Sequence, residues 1–211
     1  MTTTIVICAH NEADRIGAVL AAAADAYVAD IIVVVDRSDD KTAEIAAEYS
    51  DVVIPITSGT KGTAMTVGAH HAVGTTVLFL DADITGITPA QITYLAIAPP
   101  HGGMLVGVRG KVNGGGIPSP LAAWPSISGE RRIPRDFVRG LHLAGKGWWS
   151  ETIIDAAIAR AKMPHRQVIL DGVANTRSKS FKDWLTEAGR VAWATALYAP
   201  TLAKYAWTLE P

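Results

Sequence analysis

Through its first half the chain alternates short runs of β-branched and other apolar residues with longer stretches whose apolar positions recur at helical spacing. Residues 5–8, 31–35, 52–54 and 77–80 read as strands. Between them, Asn11 is expected to cap a helix with Ile16, Val19, Leu20 and Ala23 on one face, and helices are expected over 42–49 and 62–73. Thr88 and Pro89 open a further helix as N-cap and first helical residue. The strand runs are apolar throughout rather than alternating, as in parallel strands covered by helices on both faces. Strand–helix alternation of this kind predicts an α/β fold with one mostly parallel central sheet flanked by helices. In such a sheet ligands bind beyond the carboxyl ends of the strands, so Asn11, Asp36, Lys61 and Asp83 are brought to one rim.

The second half is less regular. A strand is expected over 104–108, a Gly/Pro-rich loop over 114–120, a helix from Ser150 to 161, a strand over 167–170 and helix from 183 with a break near Pro200. There is no repeat and no low-complexity tract. We therefore expect a single domain over 1–211, with a regular half at 1–100, a less regular half at 101–182 and a C-terminal helical segment at 183–211.

Composition narrows the field. With 211 residues, 49% apolar and 18% charged, the chain has material for a substantial core. A formal charge of -1 gives no overall basic field for a nucleic-acid backbone. Cys8 is the only cysteine, which excludes an internal disulfide and a multi-cysteine metal cage. The N-terminus lacks secretory features, and no segment reaches the roughly 18 apolar residues of a membrane span, so a cytoplasmic protein without a transmembrane segment is expected.

Asp81 and Asp83, one residue apart at the tip of a strand, repel each other unless solvent or a cation compensates. Mg²⁺ or Mn²⁺ is commonly held by one or two carboxylates together with substrate phosphates; a solvated turn is the plainer reading. Lys61 and Gly62 precede a helix whose N-terminus is a candidate diphosphate seat. Asp36 ends a strand, where a carboxylate can accept from a base or ribose, whereas Asp39 and Asp40 suit helix capping. Arg131, Arg135 and Arg139 recur every four residues and form a basic stripe if that segment is helical, with Arg109 and Arg132 beside it. Such a stripe suits a phosphate on an acceptor or a solvated helix face.

Residues 5–12 (IVICAHNE), 34–42 (VVDRSDDKT), 61–62 (KG) and 78–83 (LFLDAD) resemble, in order and spacing, the successive motifs of family 2-type glycosyltransferases with the GT-A fold. The resemblance continues through 128–131 (SGER), 147–151 (GWWSE) and 170–173 (LDGV), closest to the branch of glucosyl-3-phosphoglycerate synthases and polyprenyl-phosphate sugar transferases. It implies a metal-dependent hexosyltransferase using a nucleoside diphosphate sugar, UDP-linked before GDP-linked, with Mn²⁺ or Mg²⁺. Ala9, Asn11 and Glu12 would then contact the nucleoside, Asp36 the base, Lys61 the diphosphate, and Asp81, Ala82 and Asp83 the ribose, diphosphate and metal. Glu151 would act in the acceptor step as proton acceptor or hydroxyl ligand, the ordinary alternative being a first-turn acid on the helix dipole. Trp148 and Trp149 would line the acceptor pocket together with Arg109 and Arg131.

Four departures bear on this expectation. His10 stands where tyrosine is frequent, Arg37 where glycine is usual and Thr85 where some relatives carry a metal-binding glutamine. After Gly172 and Val173, where a histidine often reaches the metal, the chain reads Ala174, Asn175 and Thr176, so Asn175 completes the expected ligand set with Asp81 and Asp83. The acceptor is a small or phosphate-bearing molecule, with a modified base in DNA as the less favoured alternative, and a homodimer stays open. Competing classes are a sugar-phosphate nucleotidyltransferase, which normally shows a glycine-rich, basic first loop, and a non-catalytic nucleotide-sugar binder.

Overall fold

The computed structural model describes residues 2–50, 52–57, 59–110, 128–147, 149–175 and 209–210. Its elements in chain order begin with β1 (Thr3–Ala9), α1 (Ile16–Asp25), β2 (Ala29–Asp36), α2 (Thr42–Ala47), β3 (Val52–Ile56), α3 (Lys61–His71), β4 (Thr76–Asp81) and β5 (Ile84–Thr85). There follow α4 (Pro89–Ile97), β6 (Met104–Gly110), β7 (Arg131–Pro134), α5 (Arg135–Arg139), α6 (Ser150–Arg160), β8 (His165–Asp171), β9 (Ala174–Asn175) and β10 (Leu209–Glu210). Among the described residues eight strands form one sheet in the order β10-β8-β6-β7-β4-β1-β2-β3. Every pairing is parallel except those that β7 makes with β4 and β6. β5 and β9 form a separate antiparallel pair.

The uninterrupted apolar runs are explained by burial of both sheet faces. Along β1, Ile5, Ile7 and Ala9 join one core while Val6 joins the other; along β4, Leu78 and Leu80 lie opposite Val77 and Phe79. The first core packs α1 through Ile16, Val19 and Leu20, and α4 through Ile92 and Leu95. The second packs α3 through Ala64 and Met65, α5 through Val138, and α6 through Ile154 and Ile158. Gly68 lets α3 settle on β1, since a Cβ there would come within 2.2 Å of Val6 Cγ1. The start of α4 is as expected: Thr88 Oγ1 accepts from Gln91 N at 3.2 Å, Gln91 Oε1 accepts from Thr88 N at 2.9 Å, and Pro89 follows.

Three local expectations change. Asn11 does not cap α1, which starts five residues later; it takes φ +53° and its Oδ1 accepts from Asp39 N at 3.0 Å, tying two loops together. The arginine segment is not one helix, because 131–134 is a strand wedged between β4 and β6 and only 135–139 is helical. Of the C-terminal segment expected to be helical, only 209–210 are described, and they are a strand on β8; the rest lies outside the described residues. No helix among the described residues is long and apolar enough to cross a membrane.

Candidate active site

The chain builds β1, β2 and β3 outward and then returns to lay β4 on the other side of β1, so the topological switch falls between β1 and β4. Crossover loops diverge there and leave a crevice at the carboxyl ends. Cys8 and Asp81 are register partners across it, and Asp36 ends β2 beside them. Lys61 opens α3, held by the Thr60 cap, whose Oγ1 accepts from Thr63 N at 3.3 Å.

Lys61 sits between two carboxylates from distant parts of the chain. Its Nζ donates to Asp81 Oδ1 at 2.7 Å and to Glu151 Oε1 at 2.6 Å. Side-chain exposures are 19% for Lys61, 15% for Asp81 and 4% for Glu151, so the three charges sit largely out of water. Burial opposes the ammonium, but Asp81 and Glu151 overcome it and hold Lys61 above the usual lysine range. Glu151 Oε2 is buried and has no hydrogen-bond partner among the described residues. Asp81 lies over Gly129, where a Cβ would come within 2.0 Å of Oδ1, so the glycine of the 128–131 segment makes the space for that carboxylate. Amid these charges, burial pushes the Cys8 thiol up to about 12, which keeps it protonated.

Behind Glu151 lies a second buried pair. Arg131 Nη1 donates to Asp155 Oδ1 at 2.8 Å and to the Glu151 carbonyl at 3.3 Å, while Nε and Nη2 hold the Ser128 carbonyl. Burial pushes Asp155 up to about 6 against the opposing pull of Arg131. Glu151 and Asp155 are four apart on α6 and share a helix face, a spacing readable in the sequence but unused there.

The acceptor residues expected from the arginine stripe do not form a surface. Arg131 and Arg132 are fully buried on opposite faces of β7, as successive strand residues must be. Arg132 donates to the carbonyls of Ala96 and Pro100. Arg139 donates to the carbonyls of Ala69, His70 and Ala72, and Arg135 to that of Val73, so they close the C-terminal end of α3. Arg131 is therefore an internal anchor, not an acceptor contact. The expected diphosphate seat on the free N–H groups of α3 is corrected as well: Gly62 N donates to the Lys146 carbonyl at 3.0 Å, and Thr63 and Ala64 donate to Thr60.

Of the other expected residues, Ala9 and Ala82 are buried at the ends of β1 and β4. Glu12 is buried and its Oε2 accepts from Arg15 Nε at 2.5 Å. Asp36 Oδ1 accepts from Gly59 N at 2.9 Å, and Trp149 is half-buried just before α6. Trp148 lies outside the described residues, as do the side chains of Arg109 and Asn175; their backbones lie in β6 and in β9, where Asn175 pairs with Ile84.

The donor set bears on a divalent cation as follows. No group of three His, Cys, Asp or Glu side chains is gathered among the described residues, so an all-protein cage is absent from them. Asp81 and half-buried Asp83 at the strand end instead suit a Mg²⁺ or Mn²⁺ that takes most of its ligands from phosphates and water.

Comparison with known proteins agrees with this architecture. Residues 4–95 match the family model described as Glycosyl transferase family 2. The 4,4'-diaponeurosporenoate glycosyltransferase of Staphylococcus aureus is 37% identical over 89 residues, which is 39% of this chain and 24% of that protein. The chain thus spans about a quarter of the length of the curated relatives it matches. Glucosyl-3-phosphoglycerate synthase from Mycobacterium tuberculosis, crystallised with phosphoglyceric acid, superposes with a TM-score of 0.77 at 20% identity, over 93% of this chain and 79% of that one. The same enzyme with Mn²⁺ and UDP-glucose superposes with a TM-score of 0.77 over 93% and 78%. At that identity the likeness is one of fold, the GT-A fold of those glycosyltransferases, and the family-model match over 4–95 makes the first half of the chain similar to family 2 glycosyltransferases.

Proposed function

We propose that the protein is a metal-dependent glycosyltransferase that moves a hexose from a nucleoside diphosphate sugar, UDP-linked by preference, to a hydroxyl or phosphate-bearing acceptor. The observation that carries this reading is the buried bridge from Asp81 through Lys61 to Glu151, which joins the strand-end carboxylates to the start of α6. Residues 1–100 then serve the donor and 101–182 the acceptor. The fold neighbours crystallised with Mn²⁺ or Mg²⁺ and uridine nucleotides support the donor class.

In this reading Asp36 accepts from the base, and backbone around Ala9 and Asn11 contacts the nucleoside. Asp83, with Asp81, holds the cation. A divalent ion held by these carboxylates would supply neutralisation of charge on the leaving diphosphate. Lys61 places a fixed positive charge beside that group and keeps Glu151 in its carboxylate position. Glu151 Oε2, without a partner among the described residues, receives the acceptor hydroxyl as hydrogen-bond ligand or proton acceptor. Cys8 takes no part as a nucleophile, because its thiol stays protonated.

Calorimetry with UDP and Mn²⁺ tests the donor half. Wild type should bind in a metal-dependent way, and Asp83→Asn should bind no better than chelator-treated wild type. Equal affinity in all three overturns the assignment.

A further inference from the structure

At the end of β2 the backbone enters the left-handed region on a residue with a full side chain: Arg37 has φ +50°. Glycine takes this conformation freely, and other L-residues do not. The guanidinium lies over Gly59, where a Cβ would come within 2.4 Å of Nη2 and 2.8 Å of Nη1. Its Nε is 3.9 Å from Asp36 Oδ1, and the side chain is 55% exposed. Among the described residues that fork makes no hydrogen bond, so its donors face outward beside the Asp36 carboxylate. Exposed His10 is also at hand: its Nδ1 lies 2.7 Å from the Asp36 carbonyl oxygen and donates to it, since a carbonyl only accepts. A flat ring, a carboxylate and an unspent donor fork thus stand together at one strand end.

We infer that Arg37 is a specificity-determining residue of the donor site, donating to a ring carbonyl of the nucleobase while Asp36 accepts from the neighbouring ring N–H. The inference rests on the proposed reading that the donor nucleoside lies over the end of β2. Uracil and guanine both carry a carbonyl beside an N–H. Cytosine and adenine carry an amino group beside a bare ring nitrogen, so in the same pose donor meets donor and acceptor meets acceptor. Mismatch of that kind is what gives polar sites their discrimination. An arginine that merely fills the Gly59 notch has no such consequence.

Calorimetry with UDP, GDP, CDP and ADP in the presence of Mn²⁺, on wild type, Arg37→Gly and Arg37→Lys, decides the matter. Arg37→Gly suits the backbone, so its melting temperature should equal or exceed that of wild type. Wild type should prefer UDP and GDP over CDP and ADP by about tenfold or more, the scale of one hydrogen bond to a charged donor. Arg37→Gly should lose about that factor for UDP and GDP while CDP and ADP hardly change, and Arg37→Lys, which keeps the charge without the fork, should fall between. An unaltered UDP-to-CDP ratio in a folded Arg37→Gly protein overturns the inference and leaves the donor site standing. Failure of wild type to bind any of the four overturns both.

Discussion

Replacing Lys61 by methionine keeps an apolar stem and removes one positive charge from between Asp81 and Glu151. With N···O separations of 2.7 and 2.6 Å and little exposure on any of the three side chains, both carboxylates lose a close partner. Each contact is worth about 4 kcal/mol or more at an effective dielectric near 20, before desolvation offsets part of it. Stripping one partner from a buried pair typically costs about 3–5 kcal/mol, and the residual exposure of Asp81 places the expectation near the lower end, about 3 kcal/mol at pH 8. Lys61 is held above its ordinary value, so its stabilisation is complete below about pH 10.5 and is lost only as pH rises through the folded value; in wild type this contribution is flat between pH 5 and 8. In the variant two adjacent buried carboxylates favour taking up a proton, so the loss should shrink toward pH 5. Urea unfolding at both pH values, with Glu151→Gln completing a double-mutant cycle, reads this out. Glu151→Gln should recover a large part of the loss in the Lys61→Met background. A loss below about 1 kcal/mol at pH 8, equal losses at pH 5 and 8, or no coupling in the cycle would refute the electrostatic account of the triad.

Arg131→Met strands Asp155 without its buried partner and should cost about 3–5 kcal/mol at pH 8 in chemical denaturation. Because Asp155 is raised to about 6, the folded chain holds a proton that the unfolded chain releases between about pH 4 and 6. Its contribution to stability therefore falls as pH rises through that window, and Asp155→Asn should remove this part of the slope. Thr88→Ala removes the capping box of α4 and should lower stability by about 1 kcal/mol, read as a lower melting temperature. Cys8, with its thiol near 12, should resist a disulfide reagent at pH 8 in the folded protein and react promptly after unfolding; rapid labelling of the native chain would contradict the raised thiol.

The parts of the fold legible in the sequence are those where one physical rule dominates. Strands β1, β2 and β4 are apolar on both faces, and Thr88, Pro89 and Gln91 spell out a helix start. β7 was not legible, because its two arginines look like surface residues and their four-residue spacing to Arg135 and Arg139 imitates a helix. Tertiary partners overrule that pattern: the Ser128 carbonyl, Asp155 and the carbonyls of Ala96 and Pro100 accept from the buried guanidinium groups. In the site, the rule that ligands bind beyond the carboxyl ends of the strands was enough to single out Asp36 at the end of β2, Lys61 at the start of α3 and Asp83 just past β4. The contact of Glu151 with Lys61 spans ninety positions and carries no local signal. The α3 N–H groups looked free because only the folded chain brings the Lys146 carbonyl to Gly62. Gly59 and Gly129 make room for the Arg37 guanidinium and the Asp81 carboxylate, roles that a glycine in a loop does not announce.

The central claim is that the bridge of Asp81, Lys61 and Glu151 belongs to a sugar-transferring site, and nucleoside diphosphate release from a panel of nucleotide sugars with Mn²⁺ tests it most directly. Wild type should release UDP from a UDP-sugar, faster in the presence of its acceptor, and chelation of the metal should abolish the reaction. Glu151→Gln should lower that release by roughly 10²-fold or more, the scale of a lost acid–base group, while donor affinity by calorimetry stays nearly intact. No release from any donor, or release undiminished in a folded Glu151→Gln protein, would contradict the account.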